Sequence, residues 1–158
     1  MPILLYRIDD RLIHGQVVVG WGGRLAIDVV VLVDDAVAGS PWEQDLYRMA
    51  APPDLELRFA TVAEAAPALA TWQADSRRTL VLTGDIATMS ALREAAPGGI
   101  DAINVGGIHH RPGRRQRLPY VYLTDDEFAA LRRMEAAGAK VTAQDVPTAV
   151  KVPLKALA

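Results

Sequence analysis

The stretch Arg7-Ile8-Asp9-Asp10-Arg11-Leu12-Ile13-His14-Gly15-Gln16-Val17 puts an imidazole three positions after a guanidinium, among carboxylates. An imidazole with an ordinary pKa of about 6.5 is partly neutral near pH 7, which makes His14 a usable nucleophile. The planar fork of Arg11 never loses its charge and matches phosphate oxygens two at a time. Together the two suit phosphoryl chemistry. Arg11 has a second reading, as a salt bridge to Asp9 or Asp10, and both roles hold if the acid pre-orients the guanidinium. Asp10 is assigned that supporting role, towards Arg11 or towards the tautomer of His14.

The elements around this stretch must bring it to a ligand. Ile3-Leu4-Leu5-Tyr6 is short, apolar and aromatic before a polar break, which predicts a buried opening strand, and Gly15 to Trp21 predicts a helix entered at His14. Ligands of open α/β sheets collect outside the carboxyl ends of strands, and a helix start offers N–H groups and a positive dipole end to anions. Gly15 and Gln16 would then give backbone N–H groups to a phosphate. Apolar runs and amphipathic stretches alternate to the end of the chain, predicting an α/β fold of three layers, an open, mainly parallel β-sheet with helices on both faces, in one domain over 1–158. Strands are predicted over 2–7, 28–33, 55–60, 79–83, 102–105, 119–123 and 140–142. Three helix starts are legible: Ser40-Pro41-Trp42-Glu43, Thr61 with Glu64 and Thr124 with Glu127, and Gly138 is a C-terminal stop. Residues 106–118, rich in Arg, Gly and Pro, are expected to form a long loop.

Other residues carry a chemical and an ordinary reading side by side. Asp34 and Asp35 end a strand as metal or acid–base sites do, but also as turn and N-cap acids do. The Thr83-Gly84-Asp85 turn ends another strand, where the Thr83 hydroxyl or a backbone amide would reach a phosphoryl group at His14. The two glycines of Asn104-Val105-Gly106-Gly107 permit close backbone approach. His109 and His110 would need His14 to make a zinc site, and adjacent histidines in an extended loop project apart. Arg111, Arg114, Arg115 and Arg117 form a basic loop, either solvated or a docking surface for an acidic partner.

Composition narrows the classes. The 158 residues are 51% hydrophobic and 23% charged with a formal charge of −2, which gives no general pull toward nucleic acid or anionic lipid. The chain has no cysteine, so thiolate metal sites and disulfides are excluded. Charges at Arg7, Asp9 and Asp10 come too early for a signal peptide, and no apolar run approaches a membrane span, so a cytoplasmic protein is expected.

The motif RIDDRLIHGQV with a following tryptophan, Trp21, resembles the signature of the IIB subunits of the mannose/fructose/sorbose class of the bacterial sugar phosphotransferase system. Asn104-Val105-Gly106-Gly107, Val121-Tyr122-Leu123-Thr124 and Gln144-Asp145-Val146-Pro147 match the same pattern, so the resemblance spans nearly the whole chain. It implies that His14 accepts a phosphoryl group from the phosphohistidine of a IIA domain and passes it to a sugar held by membrane IIC and IID subunits. The chain would then be a phosphohistidine–sugar phosphotransferase component, with Arg11 as clamp, the Thr83 turn as a rim of the site, no metal or organic cofactor, and a homodimeric state. Two rivals remain: a regulatory phosphocarrier that controls a partner without transporting sugar, and a hydrolase using Asp34 and Asp35 with Mg²⁺. No phosphate-loop, nucleophile-elbow or zinc-helix motif favours the hydrolase.

Overall fold

Apolar runs that do not alternate belong to strands covered on both faces, and the computed structural model, which describes residues 2–158 and only the backbone of Gln16, sets two such runs inside a sheet. The elements run β1 (Ile3–Ile8), a π-helix (Gln16–Trp21) continuing into α1 (Gly22–Arg24), β2 (Val29–Val33), α2 (Asp35–Ala38), α3 (Pro41–Ala50), β3 (Glu56–Ala60), α4 (Val62–Ala74), β4 (Thr79–Thr83), α5 (Ile86–Ala95), β5 (Ala102–Val105), β6 (Arg115–Leu118), β7 (Val121–Leu123), α6 (Asp125–Ala136), β8 (Lys140–Ala143), β9 (Val152–Pro153) and a 3₁₀ turn (Leu154–Leu157). The sheet order is β3-β2-β4-β1-β5-β8-β9, parallel except for the last pair.

Alternate side chains of the central strands feed two cores. Val29, Val31, Val33 and Val81 pack with Leu69, Met89, Leu92 and Leu131 from α4, α5 and α6. Val30, Leu32, Leu80 and Leu82 point the other way, onto Ile13, Val17 and Val18 before and within the π-helix and Val37 of α2. The three-layer α/β expectation therefore holds. So do the helix signals: Thr61 and Thr124 each form a full capping box, and Ser40 accepts from the Glu43 N–H. Gly138, at φ +108, ends α6 with its own N–H on the Glu135 carbonyl and that of Ala139 on Met134, a Schellman closure.

Three expectations need correction. Residues 106–118 are not one loop, because Arg115–Leu118 pairs antiparallel with Val121–Leu123. That hairpin also takes the 119–123 segment out of the parallel sheet. A run as polar as Arg115-Gln116-Arg117-Leu118 carries no apolar alternation to announce a strand, since Arg117 buries its stem where an apolar residue would stand. The helix after His14 opens as a π-helix rather than an α-helix, a form concentrated at functional sites.

The topology gathers four strand ends on one edge. Ile8 lies opposite Thr83 on one side and Val105 on the other, and Val105 opposite Ala143. Beyond the strands the backbone stays knitted: Asp9 N–H donates to the Thr83 carbonyl (2.9 Å), Gly106 to Ile8 (2.7 Å), Asp10 to Gly107 (2.8 Å) and Gln144 to Val105 (2.9 Å). The motif residues named above for their chemistry, apart from the basic loop, sit on or beside this edge, and the acid pair follows the carboxyl end of β2 two strands away from β1.

Candidate active site

Arg7 and Asp9 are two residues apart as β1 ends and project to the same side, and the turn from Asp9 to Leu12 folds Arg11 back onto the Asp9 carboxylate. Asp9 is fully buried and bridges the two arginines. Its Oδ2 accepts from Arg7 NH2 at 3.1 Å and from Arg11 NH2 at 2.8 Å, while its Oδ1 accepts from Arg11 Nε at 2.9 Å and from the Arg11 backbone N–H at 3.1 Å. Burial alone would push the Asp9 carboxyl up; hydrogen bonds from Arg11 and the charges of Arg7 and Arg11 outweigh it and hold it below the usual carboxylate range.

Arg7 is a buried cation and its surroundings answer for it. It donates to the Asn104 side-chain oxygen, to the Gln144 carbonyl at 2.9 Å and to the Asp145 carbonyl at 2.8 Å, and its guanidinium lies 4.6 Å from the centre of the Trp21 ring. Trp21 Nε1 also donates to the Asp145 carbonyl, at 3.4 Å. The motif tryptophan is thus a lid on Arg7, and the Asn104 and Gln144 motifs are its acceptors. The paired glycines have a reason as well. A Cβ at Gly106 would collide with the Arg7 guanidinium and stand 2.7 Å from Asp9 Oδ2, and one at Gly107 would stand 2.9 Å from Arg11 Nε.

His14 follows a turn closed by the Leu12 N–H on the Asp9 carbonyl, with Leu12 itself at φ +59, a left-handed conformation that costs a non-glycine residue. The imidazole is one-quarter exposed, with Nε2 facing Asp9 Oδ1 at 3.8 Å. Burial, then the Arg11 charge, lower its pKa from the ordinary histidine value against the opposing pull of Asp9. The His14 carbonyl already accepts from Val17 and Val18 N–H groups, so a helix-start cradle can come only from Gly15 and Gln16. Arg11 extends past Asp9 to within 3.5 Å of Asp145 Oδ1 and remains one-quarter exposed. A neutral imidazole beside a guanidinium fixed by a buried carboxylate is suited to taking on a phosphoryl group.

Two assigned residues are placed differently. Asp10 spends both carboxylate oxygens on His109, accepting from its backbone N–H at 2.7 Å and pairing with its Nδ1 at 2.6 Å, and acts on Arg11 only through its charge. The supporting acid is Asp9. Thr83 is fully buried and spends its hydroxyl hydrogen on the Asp85 carbonyl at 3.1 Å, so it has no donor left for a phosphate oxygen. Gly84 beside it makes room instead, since a Cβ there would stand 2.7 Å from the Leu12 side chain.

The basic loop divides. Arg114 holds Glu127 with both Nε and NH2, and Arg117 is buried against the Leu157 and Leu123 carbonyls, whereas Arg111 and Arg115 are exposed. His110 meets the edge of Tyr122. Asp34 caps α2 through the Val37 N–H, and Asp35 accepts from the Val62 N–H, so both acids serve local structure. Among the described residues no group of three or more His, Cys, Asp or Glu is assembled for a metal ion.

Fold and site together define an α/β protein that presents a histidine and a braced arginine at the carboxyl edge of a parallel sheet. The chain belongs to the sorbose subfamily of phosphotransferase system (PTS) IIB components, whose family model matches residues 3–158. It is similar to the N-acetylgalactosamine-specific phosphotransferase enzyme IIB component 1 of Escherichia coli K12, with 34% identity over 148 residues, 92% of this chain and 91% of that protein. It is 30% identical over 156 residues to the PTS mannose-specific EIIAB component of the same organism, of which it covers 47%. The crystal structure of the IIB domain of the sorbose permease from Klebsiella pneumoniae superimposes with a TM-score of 0.85 at 27% identity, covering 99% of this chain and 96% of that one. Such components are parts of sugar phosphotransferases.

Proposed function

We propose that this chain, acting over 1–158 as one IIB unit, accepts a phosphoryl group on His14 from the phosphohistidine of a IIA domain and delivers it to a sugar bound by membrane IIC and IID subunits. The observation that carries the reading is the His14 imidazole beside an Arg11 guanidinium fixed by the buried Asp9. With Nε2 protonated and facing Asp9, the lone pair at Nδ1 attacks phosphorus. The new N–P bond forms as the donor's N–P bond breaks, and the donor imidazole leaves carrying its electron pair. Asp9 stabilises the positive charge that develops on the ring, and Arg11 the charge on the transferring oxygens. Gly15 and Gln16 line the approach with backbone N–H groups.

A mannose-specific relative carries a name that joins A and B components, which supports a IIA donor. The sugars in the relatives' names differ, including N-acetylgalactosamine, sorbose and mannose, which fits sugar choice lying outside this chain. No described helix is long and apolar enough to cross a membrane, in keeping with a cytoplasmic carrier that meets the permease during transfer. The homodimer implied by the resemblance belongs to the same proposal.

Incubation with phosphorylated IIA protein, followed by mass and site analysis, tests the reading. The expected product is one phosphoryl group on His14, stable to alkali and labile to acid. An acid-stable ester on a serine or threonine would sink it.

A further inference from the structure

Helix α3 is held on one side and bare on the other. Gln44 donates to the Val37 and Ala38 carbonyls at 3.0 Å each, Tyr47 stacks on Phe59, and the Arg48 guanidinium lies 5.0 Å from the Phe59 ring centre. Those three fix which face looks inward. At 100° per residue, Trp42, Leu46 and Met49 fall within about 60° of arc on the opposite face. They are 71%, 48% and 83% exposed, and no residue of α3 is buried. An exposed tryptophan and methionine on one stripe is costly in water and marks a surface meant to be covered.

The border of the stripe says what covers it. Glu43 and Asp45 flank it on either side, Asp45 lying 3.5 Å from Arg48, and the segment 34–55 carries five carboxylates (Asp34, Asp35, Glu43, Asp45, Asp54) against that one arginine, in a chain whose net charge is only −2; the next acid, Glu56, is already paired with Arg58 and Arg77. A second copy would set acid against acid, and an anionic lipid surface would be repelled. We infer that the α3 face, Trp42-Leu46-Met49 bordered by Glu43 and Asp45, docks a protein segment whose apolar stripe is bordered by Lys and Arg. Short cytoplasmic loops of multi-spanning membrane proteins carry an excess of Lys and Arg by the positive-inside rule, which supplies the basic border, so the partner is the permease, through a basic cytoplasmic loop. The choice of partner rests on the proposed function; the surface itself does not. α3 packs over β3, on the same face of the sheet as the π-helix that follows His14, with β2 and β4 between β3 and β1, so a partner seated there approaches from the face that carries the phosphoryl site.

The test uses the full chain and lipid nanodiscs carrying the cognate IIC and IID subunits, with protein-free nanodiscs of anionic and neutral lipid as controls. Wild-type protein is expected to bind the permease discs and neither control. Trp42→Ala with Met49→Ser should weaken binding about tenfold or more, as truncation of an interface anchor does, and Glu43→Lys with Asp45→Lys should weaken it comparably. Trp42→Phe should retain most of it. The Trp42 and Met49 variants should keep the wild-type thermal midpoint, the Glu43→Lys with Asp45→Lys variant should melt slightly lower because it gives up the Asp45–Arg48 pair and an acid at the helix start, and all should accept phosphoryl groups on His14 from the IIA donor within twofold of wild type. The inference is overturned if wild type fails to bind the permease discs, if the variants bind as wild type does, if protein-free anionic discs bind equally, or if sedimentation shows a dimer that the variants abolish. A chain that accepts no phosphoryl group yet loses permease binding in the variants would refute the proposed function and leave this surface standing.

Discussion

A neutral imidazole is what phosphoryl acceptance requires, and burial with the nearby Arg11 charge keeps His14 neutral below the usual histidine range. The folded pKa lies under 6.5, so the acid limb of the single-turnover acceptance rate should have its midpoint below pH 6.5; a midpoint at or above 6.5 would contradict it. Linkage has the matching sign: between the folded and unfolded values the unfolded chain binds more protons, so this residue lowers stability as pH drops through that window. His14→Ala should abolish acceptance and leave the fold, because the ring is at an open edge and not in either core. Arg11→Lys keeps the charge but cannot satisfy both oxygens of Asp9 and present a fork outward, and should slow transfer by about 10 to 1,000-fold in rapid-quench measurements. Unchanged transfer would confine Arg11 to bracing Asp9. Asp9→Asn is different in kind. It leaves Arg7 as a buried cation without its carboxylate, and breaking a buried pair costs about 3–5 kcal/mol, readable as a lower urea midpoint.

At the scale of elements, what was legible in the sequence is what repeats or obeys local geometry. The covered strands, the capping boxes at Thr61 and Thr124 and the Gly138 stop all depend on near neighbours, and each stands where the pattern puts it. The Arg11–Asp9 pair was one of the readings the sequence offered, but the burial of Arg7 behind it was missed, because the acceptors and cover that allow it, Asn104, Gln144 and Trp21, lie elsewhere along the chain. The Arg115–Leu118 strand was missed because its inward side chain is an arginine. The glycines that admit the buried charges offer a contrast that can be measured. Gly106→Ala meets a guanidinium pinned by several acceptors with no room to retreat, and should destabilise by the ~1–3 kcal/mol of an overpacked core and impair transfer as well. Gly84→Ala meets only the tip of Leu12, which can turn aside, and should cost distinctly less. Thermal melts of the two variants check the order, and an equal loss would mean that the Arg7 cage yields more easily than its hydrogen bonds imply.

Across the whole molecule the charges separate. The acidic segment around α3 lies at the β3 end of the sheet, the exposed Arg111 and Arg115 lie on the β6–β7 side beyond β5, and the β1 edge with His14 falls between them. A carrier that meets a donor and an acceptor in turn can use opposite signs to keep the two encounters apart. If Arg111 and Arg115 steer an acidic IIA surface, their contribution is screened over about 8 Å at physiological salt, so association should slow as salt rises. Replacing these two with Gln should lower the association rate and flatten its salt dependence, with no change in melting temperature, since Arg111 is exposed and Arg115 has only a 3.7 Å exposed pair to Asp125. Arg114→Gln and Arg117→Gln should do the reverse: each loses partly buried hydrogen bonds, to Glu127 in one case and to the Leu157 and Leu123 carbonyls in the other, and lowers the melting temperature. Stopped-flow association across a salt series, run beside thermal melts of the same three variants, separates the pairs. Equal salt slopes for wild type and the Arg111/Arg115 variant would mean that the hairpin takes no part in steering, and that the donor finds His14 by the shape of the site alone.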